Sequence, residues 1–98
     1  MPITTVIAAT TAAVSTKATF NAHGLVESIA VVAFGLAGGE KVYVWVGSGA
    51  GWGALYENDV QITLTATSPQ ASLLPGLHYG FTKDASGASV SVEVMSTR

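Results

Sequence analysis

The chain has 98 residues and no cysteine, which indicates one domain without disulfides or thiolate metal sites. Charged residues make up 10% of the chain, against about 25% in a typical globular protein, while hydrophobic residues make up 49%. The net charge is -2, and the four basic residues are too scattered to form a phosphate-binding stripe for nucleic acid: Lys17, Lys41, Lys83 and Arg98.

So few charges leave Thr, Ser, Gly and Ala to cover the surface of the folded domain. Such a surface is easily desolvated, because few ions must lose their water. We therefore expect association with other copies of the chain or with a partner. The longest uncharged apolar run, residues 28–39, is shorter than the about 20 residues that a membrane helix needs, so no membrane span is expected.

The first half of the chain contains three predicted strands. Residues 3–9, "ITTVIAA", alternate weakly, and residues 15–21 favour a short strand. Residues 27–36, "ESIAVVAFGL", are apolar on both faces, which is typical of a central strand or of one covered by another subunit. Residues 1–14 carry few large apolar anchors, so an extended N-terminal arm is an alternative for them.

The second half alternates more strongly between apolar and polar residues. Four segments show the period of a half-buried strand, namely residues 42–46, 61–67, 77–81 and 89–94. Residues 83–87, "KDASG", are predicted to join the last two strands as a hairpin loop. The whole chain, residues 1–98, thus predicts an all-β domain: an antiparallel β-sandwich or small jelly roll or barrel of seven to eight short strands.

The glycines in "VYVWVGSGAGWGALY", residues 42–56, fit the spacing of a dinucleotide-binding turn. That motif requires a following helix whose N-terminus meets the pyrophosphate, whereas strand alternation resumes here. We therefore predict a flexible hairpin loop between two strands. A recognition loop that presents Trp52 is the alternative, because Gly and Ser around one aromatic residue are typical of binding loops.

Other candidate chemistry is sparse. His23 and His78 lie far apart in the sequence, and neither has a neighbouring ligand at metal spacing. Glu57 and Asp59 form a close carboxylate pair, which a solvated turn explains better than a calcium or catalytic site. No nucleophile, base and oxyanion hole are suggested together. We expect no enzyme, no cofactor and no metal.

Residues 42–46 place large apolar groups on both faces of one strand, with Tyr43 and Trp45 opposite three valines. A central strand covered by a loop, an interface and a sugar-stacking platform would each explain this pattern. The interface candidates are Ile3, Val6, Tyr43, Trp45, Trp52 and Tyr56.

The second half also resembles the decoration, or cement, proteins of tailed-phage heads. The matching pieces are "GGEKVYV" at residues 38–44, Trp52, "LTAT" at residues 64–67 and "PGLHYGF" at residues 75–81. The resemblance implies a non-enzymatic virion protein, made in the host cytoplasm, which binds the major capsid protein outside the shell as a homotrimer. It implies no functional residue. The alternative is a carbohydrate-binding β-sandwich of a phage tail or cell surface, with Trp45, Trp52 and Tyr56 as its platform.

Overall fold

A computed structural model of the protein describes residues 3–22, 29–37, 40–48, 51–57, 60–87 and 89–96. These residues form strands, turns and bends and include no helix, which confirms the predicted all-β class. The strands are β1 (Ile3–Thr10), β2 (Val14–Asn21), β3 (Ile29–Phe34), β4 (Lys41–Ser48), β5 (Gly51–Ala54), β6 (Tyr56–Glu57), β7 (Val60–Gln61), β8 (Thr63–Thr65), β9 (Gln70–Leu73), β10 (His78–Lys83) and β11 (Val90–Ser96).

Two antiparallel sheets carry most of these strands. Sheet A has the order β1-β11-β3-β9. Sheet B has the order β2-β10-β4, and the far edge of β4 is shared by β5 and β8. Strands β6 and β7 form a separate two-stranded ribbon. The described strand segments are more numerous than predicted because residues 51–65 are divided into four short pieces.

The chain crosses repeatedly between the sheets. It passes from β1 in sheet A to β2 in sheet B, returns at β3, and crosses again to β4. After β8 it returns to sheet A at β9, crosses to β10 and ends beside β1 at β11. This is the connectivity of a double-sheet jelly roll, one of the architectures that the alternation predicted.

The core lies between the sheets and is built from alternate residues of the strands, as a half-buried sheet requires. Sheet A contributes side chains of β1, β3, β9 and β11, and sheet B contributes those of β4, β8 and β10. The largest fully buried side chains are those of Tyr79, Phe81, Ile29, Leu64, Val31, Val42, Val44, Val90, Val92 and Val94.

One prediction for a connecting segment was wrong. Residues 83–87 do not close a hairpin, because β10 lies in sheet B and β11 in sheet A. The segment bridges the sheets instead, and Glu40 anchors it by accepting a hydrogen bond from the Gly87 backbone nitrogen at 2.7 Å. Of the two alternatives for the N-terminal region, residues 3–10 match the predicted strand: they form β1 and pair with β11, and Ile7 is only 4% exposed.

Candidate functional site

The two faces of β4 settle the ambiguity that its sequence left open. Val42 and Val44 are fully buried in the core, so Tyr43 and Trp45 point to the outer face of sheet B and stay half-buried there. Since β4 lies between β10 and the β5/β8 edge, its aromatic side chains occupy the middle of that face. The outer face of sheet B is therefore the most aromatic surface that the structure describes.

The part of the glycine-rich stretch that the structure describes after β4, residues 51–54, is a strand rather than a loop. Residues 51–54 form β5 and pair with β4, with Ser48 opposite Gly51 and Gly47 opposite Trp52. The alternative of a recognition loop also fails, because Trp52 belongs to this strand. Residue 49 lies outside the described residues. The strand that follows the glycines offers no helix N-terminus to a pyrophosphate.

Trp52 lies flat on a floor made by two glycines of neighbouring strands. A Cβ at Gly47 would be 2.8, 3.0 and 3.1 Å from three consecutive ring carbons, Cζ3, Cη2 and Cε3, of Trp52. An edge-on ring would bring one carbon much nearer than its neighbours, so these similar distances show that the ring face covers Gly47. Gly80 on β10 would place a Cβ 3.0 Å from the same ring. Side chains at either position would displace the indole.

His78 contacts the indole of Trp52 beside this floor. The two ring centroids are 5.2 Å apart, and the planes are inclined by 56°. His78 is half-buried and lies opposite Gly47 of β4. Within the part of the chain that the structure describes, no three His, Cys, Asp or Glu side chains come together to hold a metal ion. His23, Asp59 and the side chain of Glu57 lie outside that part.

Trp45 is fixed by a polar contact at its edge and a cation over its face. Its indole Nε1 donates a hydrogen bond to Thr82 Oγ1 at 2.9 Å. The Lys17 ammonium lies 4.6 Å from the Trp45 ring centroid, which is within cation–π distance. The Lys17 stem runs close to Gly80, where an added Cβ would come within 2.8 Å of the lysine Cβ. The absence of a side chain at Gly80 therefore lets Lys17 reach the indole.

Tyr43 lies nearer the end of the sheet and is fixed by a carboxylate. Its hydroxyl donates a hydrogen bond to Asp84 Oδ2 at 3.2 Å. Burial raises the pKa of this phenol above its ordinary value of 10.0, and the negative charge of Asp84 raises it further. At neutral pH the hydroxyl is therefore a stable donor that holds the ring in place.

A groove of about 440 Å³ crosses this end of the outer face of sheet B. Tyr43, Trp45 and Thr82 contribute to it from the middle strands, and residues 13–15 and Lys17 contribute from the β2 side. Gln61, Lys83 and Asp84 also line it. The groove thus combines two ring systems with amide, carboxylate, ammonium and hydroxyl groups.

The outer face of sheet A is different in composition. Its four strands carry one charged residue in total, Glu93. Ile3 on β1 is 57% exposed and pairs with Met95, while Phe34 at the end of β3 is 46% exposed. Leu74 and Leu77 are exposed at one end of the sandwich, after β9.

The six interface candidates therefore do not form one surface. Tyr43, Trp45 and Trp52 share the outer face of sheet B, whereas Ile3 lies on sheet A. Val6 packs partly buried against the core, and the side chain of Tyr56 lies outside the described residues. Sequence reasoning missed the contributions of Lys17, Thr82 and Gly80. A glycine inside the alternating "HYGFT" segment was the available signal, since such a residue marks a close approach.

Comparisons with known proteins identify no relative: no family model, no curated protein and no solved structure matches the chain. As for a membrane, the described residues contain no helical segment with the length and hydropathy needed to cross one.

Proposed function

We propose that the protein is a non-enzymatic virion structural protein that binds the outside of a phage capsid. In this proposal it spans junctions between subunits of the major capsid protein, as a homotrimer, and stabilises the shell. The observation that carries the proposal is the near absence of charge from sheet A, whose strands contain only Glu93 and leave Ile3 and Phe34 exposed.

The physical reason is the low cost of covering this face. Burying an ion against a partner requires stripping its water, whereas burying isoleucine or phenylalanine against a partner is favourable. Exposed apolar patches of this kind mark protein-binding surfaces. The outer face of sheet B carries the Lys17 ammonium and the Asp84 carboxylate, which a protein partner would have to desolvate, so we assign the shell-binding surface to sheet A.

The architecture agrees with this proposal without deciding it. Jelly rolls occur in viral capsid proteins, and they occur in lectins as well. A fold hosts many functions, so the support for the proposal comes from the surface of sheet A and from the resemblance of residues 38–81 to decoration proteins.

The proposed action is mechanical. A filled shell is under outward load, and a protein that contacts two capsid subunits must lose its contacts before those subunits separate. Its binding free energy then adds to the free energy that holds the shell together. Three linked copies raise the effective concentration of each remaining contact, so modest individual affinities give tight attachment.

The test is co-expression with the major capsid protein encoded by the same genome, followed by sedimentation of the assembled shells. We expect the wild-type chain to move with the shells at a fixed ratio and to raise their disassembly temperature. Light scattering at high concentration should give about three times the chain mass of 9.9 kDa. A wild-type chain that stays at the top of the gradient would contradict the proposal.

A matched pair of charge insertions locates the surface. Phe34→Glu places a carboxylate on sheet A and should abolish sedimentation with shells, because the added ion must be desolvated on binding. Ala85→Glu adds the same charge at an exposed position in the segment that bridges the sheets, and should bind like the wild type. Equal binding by both variants would exclude sheet A as the shell-binding face.

A further inference from the structure

We propose that the groove on the outer face of sheet B is a saccharide-binding site, with Tyr43 and Trp45 as its aromatic wall. The groove lies on the opposite side of the sandwich from the apolar face of sheet A. Both faces can therefore be occupied at once, and the inference does not depend on the proposed shell binding.

The size of the groove suits a short oligosaccharide. Its volume of about 440 Å³ lies within the range of about 300–1,000 Å³ that is usual for small-molecule sites. It is an open groove at the surface rather than a closed cavity, so a ligand longer than the groove can extend beyond either end. A chain of sugar units has this shape.

The aromatic groups of the groove are held in position before any ligand binds. The Trp45 indole is fixed at its edge by Thr82, and the Tyr43 ring is fixed through its hydroxyl by Asp84. Sugar rings present C–H groups that pack on the electron-rich faces or edges of such rings. Because these side chains are already ordered, little conformational entropy is lost when a ligand binds.

The polar lining matches hydroxyl groups. Asp84 offers carboxylate oxygens as acceptors, Gln61 offers both a donor and an acceptor, and the Lys17 ammonium has three donors, only some of which can face Trp45. Neighbouring hydroxyls of a sugar need this mixture of donors and acceptors at the edge of an apolar wall.

The charges of the lining favour a neutral ligand. The lining holds two lysines, Lys17 and Lys83, and one carboxylate, Asp84. The ammonium of Lys83 is directed to the Asp84 backbone oxygen and to Ser86 Oγ, so that Lys17 and Asp84 oppose each other in sign. A nucleic acid would bring many phosphates to a protein whose net charge is -2, and it would meet the Asp84 carboxylate. A neutral oligosaccharide avoids this repulsion.

The experiment uses the purified full chain and a panel of neutral oligosaccharides of glucose, galactose, mannose and N-acetylglucosamine. Binding is followed by tryptophan fluorescence, since Trp45 lines the groove, and by calorimetry. We expect one sugar class to bind, and Trp45→Ala or Tyr43→Ala to lower its affinity about tenfold, the loss equivalent to about one aromatic contact.

Two kinds of control keep the test decisive. Phe34→Ala removes an aromatic side chain from the opposite face and should leave sugar affinity unchanged. If Trp45→Ala fails to fold, then Gln61→Ala and Asp84→Asn test the same groove with little change in packing, and each should weaken binding several-fold. Circular dichroism checks the fold of every variant.

Three results would overturn the inference. One is the absence of binding to every oligosaccharide in the panel. Another is binding that Tyr43→Ala, Gln61→Ala and Asp84→Asn all leave unchanged, since the sugar would then lie elsewhere. The third is fluorescence quenching by a proline-rich peptide but by none of the sugars, because that result would assign the aromatic wall to peptide recognition.

Discussion

The outer faces of the two sheets differ in how their large side chains are held. On sheet A, Phe34 and Ile3 remain about half exposed, and the strands around them carry only one charge. On sheet B, Trp52 lies on a glycine floor, and Trp45 is fixed by Thr82 and Lys17. One face leaves its large apolar groups exposed, whereas the other has built a second packed layer from its own side chains.

The largest expected effect distinguishes the two faces by stability alone. Trp52→Ala removes a half-buried ring that covers Gly47 and Gly80, and should lower the free energy of unfolding by about 2 kcal/mol, less than the loss for a fully buried aromatic. Phe34→Ala removes an exposed ring and should cost less than about 1 kcal/mol. Urea unfolding measures both. Equal losses would show that the sheet A face is packed as well as the sheet B face.

A second test addresses the glycine floor itself. Gly80→Ala brings a methyl group to 2.8 Å from the Lys17 Cβ, an atom fixed to the neighbouring strand, and should destabilise the domain by about 1–2 kcal/mol. Gly53→Ala, on β5 of the same sheet, is the control, because no atom lies within 4 Å of its added Cβ.

The near-ultraviolet circular dichroism of the tryptophans gives an independent measure of the floor. It should weaken in Gly80→Ala, because the added methyl group would come within 3.0 Å of the Trp52 ring and displace it, and should be retained in Gly53→Ala. If the two glycine variants are equally stable and equally ordered, the outer layer of sheet B is not closely packed.

A smaller effect comes from the core side of sheet B, at Tyr79. Its hydroxyl donates a 2.7 Å hydrogen bond to the Leu74 carbonyl, and Tyr79→Phe should cost about 1 kcal/mol at neutral pH. Burial also raises the pKa of Tyr79 above 10.0, so the folded chain keeps this proton at a pH where the unfolded chain loses it.

The sign of the pH dependence follows from that difference. The stability linked to Tyr79 is complete below about pH 10 and is lost as the pH rises through the higher pKa of the folded state. The pKa of Tyr43 is raised too, so it contributes in the same direction. Urea unfolding from pH 8 to 11 should show a shallower decline for Tyr79→Phe than for the wild type. An identical decline would mean that Tyr79 ionises equally in both states.

The strands that alternate strongly could be predicted from the sequence, since Tyr79 and Phe81, and likewise Val90, Val92 and Val94, face the core in step with the alternation. Alternation works there because one face is buried and a slip of one residue would expose it. For Val42 and Val44 the sequence left open which face of the strand is buried. The predicted strand over residues 61–67 is instead divided between β7 and β8, and it ends in a bend at residues 66–67.

The strands that were missed are short and owe their pairing to distant residues. β9 has four residues between two prolines, and it is a strand because it pairs with residues 29–32 of β3. β5 is rich in glycine, and local propensity favours a loop there. Its pairing with β4 and the packing of Trp52 on Gly47 override that preference, and neither is visible in a local pattern. The candidate groove was even more difficult to predict from the sequence. Its lining residues Lys17, Gln61 and Asp84 are brought together only by the crossing of the chain between sheets.

The smallest expected effect concerns the cation over Trp45. Lys17→Met keeps most of the stem that runs beside Gly80 and removes the ammonium, so it isolates the cation–π contact from packing. In a double-mutant cycle with Trp45→Leu, the coupling should be about 0.5 kcal/mol, the value for a contact near the surface, and it should fall as salt is added. The single variant Trp45→Leu and the double variant both lack the hydrogen bond to Thr82, so the loss of that bond cancels in the cycle. A coupling of zero would mean that the lysine contributes only its stem, and the sheet B face would then be held together by packing and hydrogen bonds alone.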